Sequence, residues 1–236
     1  MSEEKKKGFP TWGMVLIVVG VVLVFGCIIV SIFAAIAIPS LLRSRIAANE
    51  SSAVATLRSL VTTESTWRQT DADRNTISDY WSADVSGFWR VERLPDGCGV
   101  SISAIDVAVA TADDAKIEGG AAFPGAKIPG TDVRSAALIA LNRAMSKSGY
   151  WFRAIELDQN EAPLATDPDG DGRKWTNVGA FGFQARPGTY DSTGLNTYIV
   201  SETGAVYGRD FRNSLPQNAR AWPGPNPITQ GWRLVP

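Results

Sequence analysis

A long uncharged stretch near the N-terminus is the first pattern along the chain. Residues 12–38 are 27 consecutive positions without a charged side chain. Coiled as a helix they would extend about 40 Å, against about 30 Å for a bilayer hydrocarbon core. A cleavable secretory signal is the alternative, but its apolar region is shorter, roughly 7–15 residues. The pattern therefore predicts a retained transmembrane helix over residues 9–39, preceded by a basic head or leader at residues 1–8.

The apolar pattern changes character after Pro39. Apolar residues now recur every three or four positions, which is typical of a helix with one buried face. These positions are Leu42, Ile46, Ala53, Leu57, Leu60, Val61 and Trp67. Residues 40–68 are thus predicted to continue the same helix, from about Thr11 to Arg68. Proline removes an amide donor and crowds the preceding turn, so we expect a kink or local opening at Pro39.

Short apolar runs separated by turn residues follow, and they predict an exported α+β domain over residues 69–211. The predicted strands are residues 87–91, 100–110, 150–157, 178–185, 195–201 and 205–208. The last two form a hairpin over residues 202–204. A second helix is predicted from Asp132 with Gly149 as its stop, after a loop at residues 116–130. The expected fold is one long helix packed on an antiparallel sheet.

The C-terminal tail, residues 212–236, has five prolines and two tryptophans. Proline at this density opposes regular structure, so the tail is predicted to lie extended over the domain surface. Trp222 and Trp232 could stack on carbohydrate. We favour the alternative, in which they hold the tail against the domain.

Composition narrows the chemistry. The chain has no histidine, which excludes Ser-His-Asp and Cys-His catalysis and His-ligated zinc. It has no phosphate-binding glycine loop and no CxxC pair. Residues 40–236 carry 20 basic and 22 acidic side chains, so nothing indicates a nucleic-acid partner. We therefore expect a non-enzymatic protein. A hydrolase that uses carboxylates is a minor alternative.

Charges and cysteines bear on topology. Lys5, Lys6 and Lys7 favour a cytoplasmic N-terminus with the large domain exported, although Arg43 and Arg45 weaken the bias. Of the two cysteines, Cys27 lies within the predicted span and Cys98 in the domain, so they are not expected to pair. Cys98 is then an unpaired thiol, and a small buried residue is favoured over a reactive one. The adjacent acids Asp113 and Asp114 are expected to be solvated.

The N-terminal helix resembles that of a known family. The segment AAIAIPSLLRSRIAANESSAVATLRSL, residues 34–60, is similar to the helix of type IV pilins and type II secretion pseudopilins. SGYWF at residues 148–152 and VGAFGFQARPGTYDSTGLNTYIVSETGAVYGRDF at residues 178–211 resemble the C-terminal sheet of pilin-like proteins more loosely. The resemblance implies a bacterial inner-membrane protein with a periplasmic or extracellular domain. It also implies self-association, or association with other pilin-like subunits, through the helix.

The resemblance extends to processing, with departures. Pilins are cut between Gly and Phe after a short basic leader, which here corresponds to Gly8 and Phe9. Gly13 then stands where the family has a Glu that neutralises a neighbour's terminal amine. The span from Phe9 to Pro39 is also longer than in the family. Two versions stay open: a processed filament subunit, or an unprocessed anchor. We lean slightly towards the second.

One acidic turn is the best candidate for site chemistry. Asp167, Asp169 and Asp171 alternate around Gly170, as in the first half of a calcium loop. The position of the bidentate Glu is occupied by Val178, so Asn177, backbone carbonyls or another loop would have to complete the site. Pseudopilins hold calcium in their C-terminal loops, so the resemblance implies a structural calcium ion at this turn. The alternatives are an acidic surface turn, or catalytic carboxylates in the hydrolase hypothesis.

Two function classes therefore follow from the sequence. The first is a membrane-anchored pilin-like or pseudopilin-like protein, a structural or assembly component of a filament or secretion system. The second is a non-polymerising binding or sensory module that uses a pilin-type helix only as its anchor. The missing Glu and the longer span motivate the second.

Overall fold

The computed structural model describes residues 11–72, 75–89, 91–93, 99–101, 104–114, 145–170, 174–212 and 219–236. The chain divides into two compact units, Met1–Arg45 and Ile46–Pro236. Several predicted features lie outside the described residues. They are the processing residues Gly8 and Phe9, the lysines Lys5, Lys6 and Lys7, Cys98, Asp171, the loop at 116–130 and the helix predicted after Asp132.

Helix α1 spans Thr11–Thr70, so the predicted long N-terminal helix is confirmed. The assigned helix continues through Pro39. In the first unit the large apolar side chains from Trp12 to Leu41 are 48–70 % exposed. Exposure of so many large apolar side chains on one helix is unusual for a protein surface in water. This helix is long and apolar enough to cross a membrane, near the N-terminus.

The second unit is built on an antiparallel sheet. Strands β4 (Tyr150–Ala154), β6 (Gly182–Pro187), β7 (Asn196–Ser201), β8 (Val206–Asp210) and β9 (Arg233–Leu234) are adjacent in that order. The pairs Phe152–Ala185, Ala185–Tyr198 and Tyr198–Gly208 align along one register row. The strand predicted at 195–201 is confirmed, and so is the hairpin over 202–204, where the Gly204 amide donates to the Ser201 carbonyl. The strands predicted at 150–157 and 205–208 are present with other ends, since β4 stops at Ala154 and β8 continues to Asp210.

The second half of α1 packs on this sheet. Ala53, Leu57 and Leu60 are at most 1 % exposed and share a core with sheet residues such as Phe183 and Val200. Polar contacts add to it: the Glu50 carboxylate accepts from the Leu195 and Asn196 amides at 2.9 and 3.1 Å. The predicted α+β class with a long helix on an antiparallel sheet is confirmed in these terms.

The remaining elements correct several predictions. Residues 86–89 form a 3₁₀ helix, Ser86–Trp89, and the strand predicted at 87–91 is limited to β2, Val91–Arg93. The strand predicted at 100–110 is wrong in its second half: β3 is Gly99–Ser101, and Val107–Thr111 forms the short helix α2. The strand predicted at 178–185 begins later, at Gly182, whereas β5, Thr176–Asn177, pairs with β1, Tyr80–Trp81.

The tail docks more tightly than predicted. The indole of Trp232 is 3 % exposed and packs edge-to-face on Phe211, with ring centroids 5.7 Å apart. Strand β9 then pairs with β8. The prediction that Trp232 holds the tail against the domain is confirmed.

Candidate functional site

A groove of mixed polar and apolar lining lies beside Trp222 in the described part of the domain. Its volume is about 370 Å³. The loop after β4, the β7–β8 hairpin and the C-terminal tail each contribute a wall. The lining residues are Asp158, Gln159, Leu164, Ala180, Phe181, Ser201, Glu202, Thr203, Tyr207, Trp222, Pro225 and Pro227.

A second groove, about 470 Å³, lies on the tail side and shares Gln159 and Trp222 with the first. Glu161, Phe211, Gln230 and Trp232 contribute to its lining. The two grooves therefore adjoin at Gln159 and Trp222.

Backbone hydrogen bonds hold the tail wall in place. The Trp222 amide donates to the Leu157 carbonyl at 2.9 Å, and the Leu157 amide donates to the Arg220 carbonyl at 3.1 Å. Beside them, Arg220 binds the Glu156 carboxylate at 3.0 Å, and Arg153 also contacts that carboxylate. Burial raises the pKa of Glu156, but the two guanidinium groups outweigh it and leave the pKa below its ordinary value.

The loop wall is ordered by Asp158. Its Oδ1 accepts from the amides of Asn160 and Ala162 at 2.7 and 2.8 Å. These two hydrogen bonds lower the pKa of Asp158, so the side chain is a carboxylate at neutral pH. On the opposite side, the rings of Tyr207 and Trp222 meet edge-to-face, with centroids 6.5 Å apart.

The predicted calcium loop has a closed base. Thr166 and Thr176 pair, with the Thr166 amide donating to the Thr176 carbonyl at 2.8 Å. Asp167 is half-buried, Asp169 is exposed, and Gly170 has a φ of 75°. Within the described ranges no group of three or more acids or cysteines is arranged to hold a metal ion, and Asp171 lies outside them.

Asn177 is already engaged elsewhere. Its Oδ1 accepts from the amides of Gly179 and Ala180 at 2.8 and 2.9 Å, and its Nδ2 donates to the Leu164 carbonyl at 2.7 Å. An oxygen that satisfies two backbone amides is poorly placed to ligate a cation as well. The calcium site itself stays a prediction.

The prediction that Asp113 and Asp114 are solvated is wrong. Both are at most 1 % exposed. The Asp113 carboxylate accepts from the Ser86 amide at 2.9 Å, and Asp114 forms a two-point ion pair with Arg186, at 2.6 Å for Nη2 to Oδ1. Pairing is what allows such charges to be buried.

Sequence reasoning singled out Trp222 but missed its neighbours. In the sequence, Tyr207 and Phe181 are ordinary aromatic residues of predicted strands. Glu202 belongs to a predicted turn, and Gln159 lies between predicted strands. The usable signal was local: Pro223, Pro225 and Pro227 alternate just after Trp222, which indicates a stiff segment suited to forming a wall.

Comparison with known proteins gives one match. A family model described as a protein of unknown function (DUF2950) matches residues 129–235. No curated protein matches the chain. No solved structure matches it either. The matched segment contains strands β4 to β9 and every residue that lines the two grooves, whereas α1 lies outside it.

Proposed function

We propose that the chain is a non-enzymatic, membrane-anchored protein of pilin-like architecture. The observation that carries the proposal is the difference in side-chain burial between the two halves of α1. The large apolar side chains from Trp12 to Leu41 are exposed, whereas Leu57 and Leu60 are buried in the core of the sheet domain. A bilayer, or the helices of neighbouring subunits, would cover the first set.

In this proposal the protein is a structural or assembly component of a bacterial filament or secretion system. It crosses the inner membrane once, with its N-terminus in the cytoplasm and its domain in the periplasm or outside the cell. The resemblance of residues 34–60 to pilin helices supports this assignment. Self-association would then run through the apolar half of α1.

Intact mass of the membrane-extracted protein tests the subunit role. Loss of residues 1–8, together with filaments seen by electron microscopy, is the expected result for a processed subunit. A full-length N-terminus and no filaments would remove the subunit role and leave only the anchor. Substituting Phe9 with Ala is the matched control, since it should abolish any shortening.

The second candidate is a tethered binding module that does not polymerise. The extent of the family match favours it, because the matched segment begins at residue 129 and does not include the helix. What recurs in that family is then the sheet with its tail, and the helix serves this chain as an anchor.

A structural calcium ion at Asp167, Asp169 and Asp171 is a separate proposal. The spacing of the three acids and the turn at Gly170 support it. Chelation should lower the melting temperature of the full chain in detergent, and added calcium should restore it, because a ligand that binds only the folded state stabilises that state. Asp169→Asn should make the chain insensitive to both. An unchanged melting temperature on chelation would end the proposal.

A further inference from the structure

We propose that the two grooves beside Trp222 form one binding site for a neutral oligosaccharide. The site takes at least two consecutive pyranose units, one in each groove. The inference holds for a filament subunit and for a tethered module alike, and its failure would leave both functions untouched.

The aromatic residues provide the first argument. The Trp222 indole is half-buried, and Tyr207 meets it edge-to-face, with an interplanar angle of 76°. Pro225 adds exposed rigid apolar surface, with the buried Phe181 and Pro227 behind the groove wall. The C–H face of a pyranose ring is flat and apolar, so it gains dispersion and hydrophobic contact on such a ring while its hydroxyls point outward.

The polar residues provide the second argument. Glu202 is an acceptor only, as is the Oδ2 atom of Asp158, whose Oδ1 is taken by two loop amides, whereas Gln159 and Thr203 both donate and accept. The second groove repeats this mixture with Glu161 and Gln230. Sugar hydroxyls are donors and acceptors at once, and they match a wall that offers both. Ligands with donors only would leave half of it unused.

Charge decides between sugar classes. Three carboxylates, Asp158, Glu161 and Glu202, belong to the lining, and no lysine or arginine is found among the lining residues of either groove. A phosphorylated, sulfated or uronic-acid glycan would be repelled here. An anionic occupant is therefore disfavoured, and a neutral glycan fits better than a cation because the amides of Gln159 and Gln230 also donate hydrogen bonds, which a cation cannot accept.

The walls are organised before any ligand arrives. Asp158 is fixed by the two loop amides that it accepts from, and the Trp222 backbone is bonded to Leu157. Asn226 caps the 3₁₀ helix Pro227–Gln230 by accepting from the Ile228 amide at 3.2 Å. Ordered walls reduce the entropy lost on binding. The shared residues Gln159 and Trp222 bring the two compartments side by side, as consecutive sugar units require.

Isothermal titration of the full chain in a detergent without a sugar headgroup tests the site. The probes are cellohexaose, chitohexaose and maltohexaose at millimolar concentration, with hexalysine as the cationic competitor. At least one hexaose should bind. Trp222→Ala should weaken that binding about tenfold, equivalent to about 1.4 kcal/mol, and Trp222→Phe should restore part of it.

The control is Trp151→Ala. Trp151 is likewise half-buried, on β4, but it lines neither groove, so its loss should leave hexaose affinity unchanged. A thermal melt of each variant establishes that it is folded. The proposal is overturned if no hexaose binds, if Trp151→Ala weakens binding as much as Trp222→Ala, or if hexalysine binds and the sugars do not.

Discussion

Single carboxyl groups organise the least regular part of the domain. Residues 79–89 form only a two-residue strand and one 3₁₀ turn, so many of their amides lack a ladder partner. Buried acids accept from them instead: Glu64 from Trp81 at 3.0 Å, and Asp84 from Gly87 at 2.6 Å. Asp113 does the same for Ser86. A buried amide left unpaired costs free energy, so these acids maintain the local fold.

The surroundings of Glu64 do little to stabilise its ionised form. It is 0 % exposed, and its second oxygen, Oε1, has no hydrogen-bond partner within the described residues. Burial raises the pKa of Glu64 well above its ordinary value of 4.5, and the nearby Asp79 adds to this, while the Trp81 amide acts against it. At a pH between the unfolded and folded pKa values, the folded chain therefore holds a proton that the unfolded chain releases.

This difference gives the domain a pH dependence of known sign. The stabilisation from protonated Glu64 is complete below the unfolded pKa and is lost as the pH rises through the raised, folded pKa. Glu64→Gln keeps the shape without the titration. We expect its melting temperature to exceed that of the native chain at about pH 8, with little difference at about pH 5.

Thermal unfolding of the full chain in detergent, followed by near-ultraviolet circular dichroism, measures this difference. Glu202→Gln is the matched control, because Glu202 is exposed on the hairpin and should change neither melting temperature. An equal pH slope for Glu64→Gln and the native chain would refute the assignment to Glu64.

Burial of the acids could not be predicted from the sequence. Asp113 and Asp114 look like a hydrophilic pair in the sequence, yet the partner of Asp114 is Arg186, 72 positions away. Two adjacent acidic residues predict a polar surface when only the local sequence is considered. Whether they can be buried depends on a cation that lies far away in the sequence. The same applies to Glu64, which lies between apolar helix positions but faces the Trp81 amide.

At the scale of elements, the local pattern of apolar and turn residues predicted correctly the elements that are long or that are joined by a clear turn. Helix α1 follows from its uninterrupted apolar stretch and its later periodicity, and β7–β8 follows from the turn at residues 202–204. The pattern failed at residues 86–89, where Gly87 lies so near Trp81 that an added Cβ would be 2.4 Å from the indole. The conformation of that turn is determined by tertiary packing, which cannot be inferred from the alternation of apolar and polar residues in the sequence.

The tail offers a comparison between two tryptophans of unequal burial. Trp232 is 3 % exposed and packs with Ile155, Leu164 and Ile199, whereas Trp222 is half-buried. We expect Trp232→Ala to lower the free energy of unfolding by about 3 kcal/mol or more, because it leaves a cavity. Trp222→Ala should cost only about 1 kcal/mol, in proportion to the apolar area it loses.

Denaturant titration of the two variants measures these costs side by side. Equal losses would contradict the view that Trp232 fastens the tail while Trp222 serves the groove surface. The comparison also establishes whether Trp222→Ala is stable enough for the binding experiment.

At the scale of the whole molecule, the family match and the apolar pattern of α1 describe different parts of the chain. The family match covers the sheet and its tail, from residue 129 to residue 235, and stops short of the helix. Within the helix, Ile46 begins the buried pattern that belongs to the sheet domain. The grooves could not be foreseen, because their walls come from four segments separated in sequence, and only Trp222 and Trp232 drew attention by their type.

Replacing residues 12–38 with an unrelated apolar helix of equal length separates the anchor from the domain. The exposed side chains of this stretch contribute nothing to the buried core, so the melting temperature of the chain in detergent should not change. The chain should also stay in the membrane fraction after alkaline extraction, because length and apolarity suffice for that. Sugar binding at Trp222 should persist too. If the chain is the proposed filament subunit, assembly would depend on side-by-side packing of this helix with its neighbours and should be lost. Its survival would show that assembly does not run through α1, whereas a drop in melting temperature would show that the domain depends on this particular helix. Val22→Arg, in the middle of the span, is the complementary variant: its charge should make membrane insertion less favourable while leaving the folded domain intact.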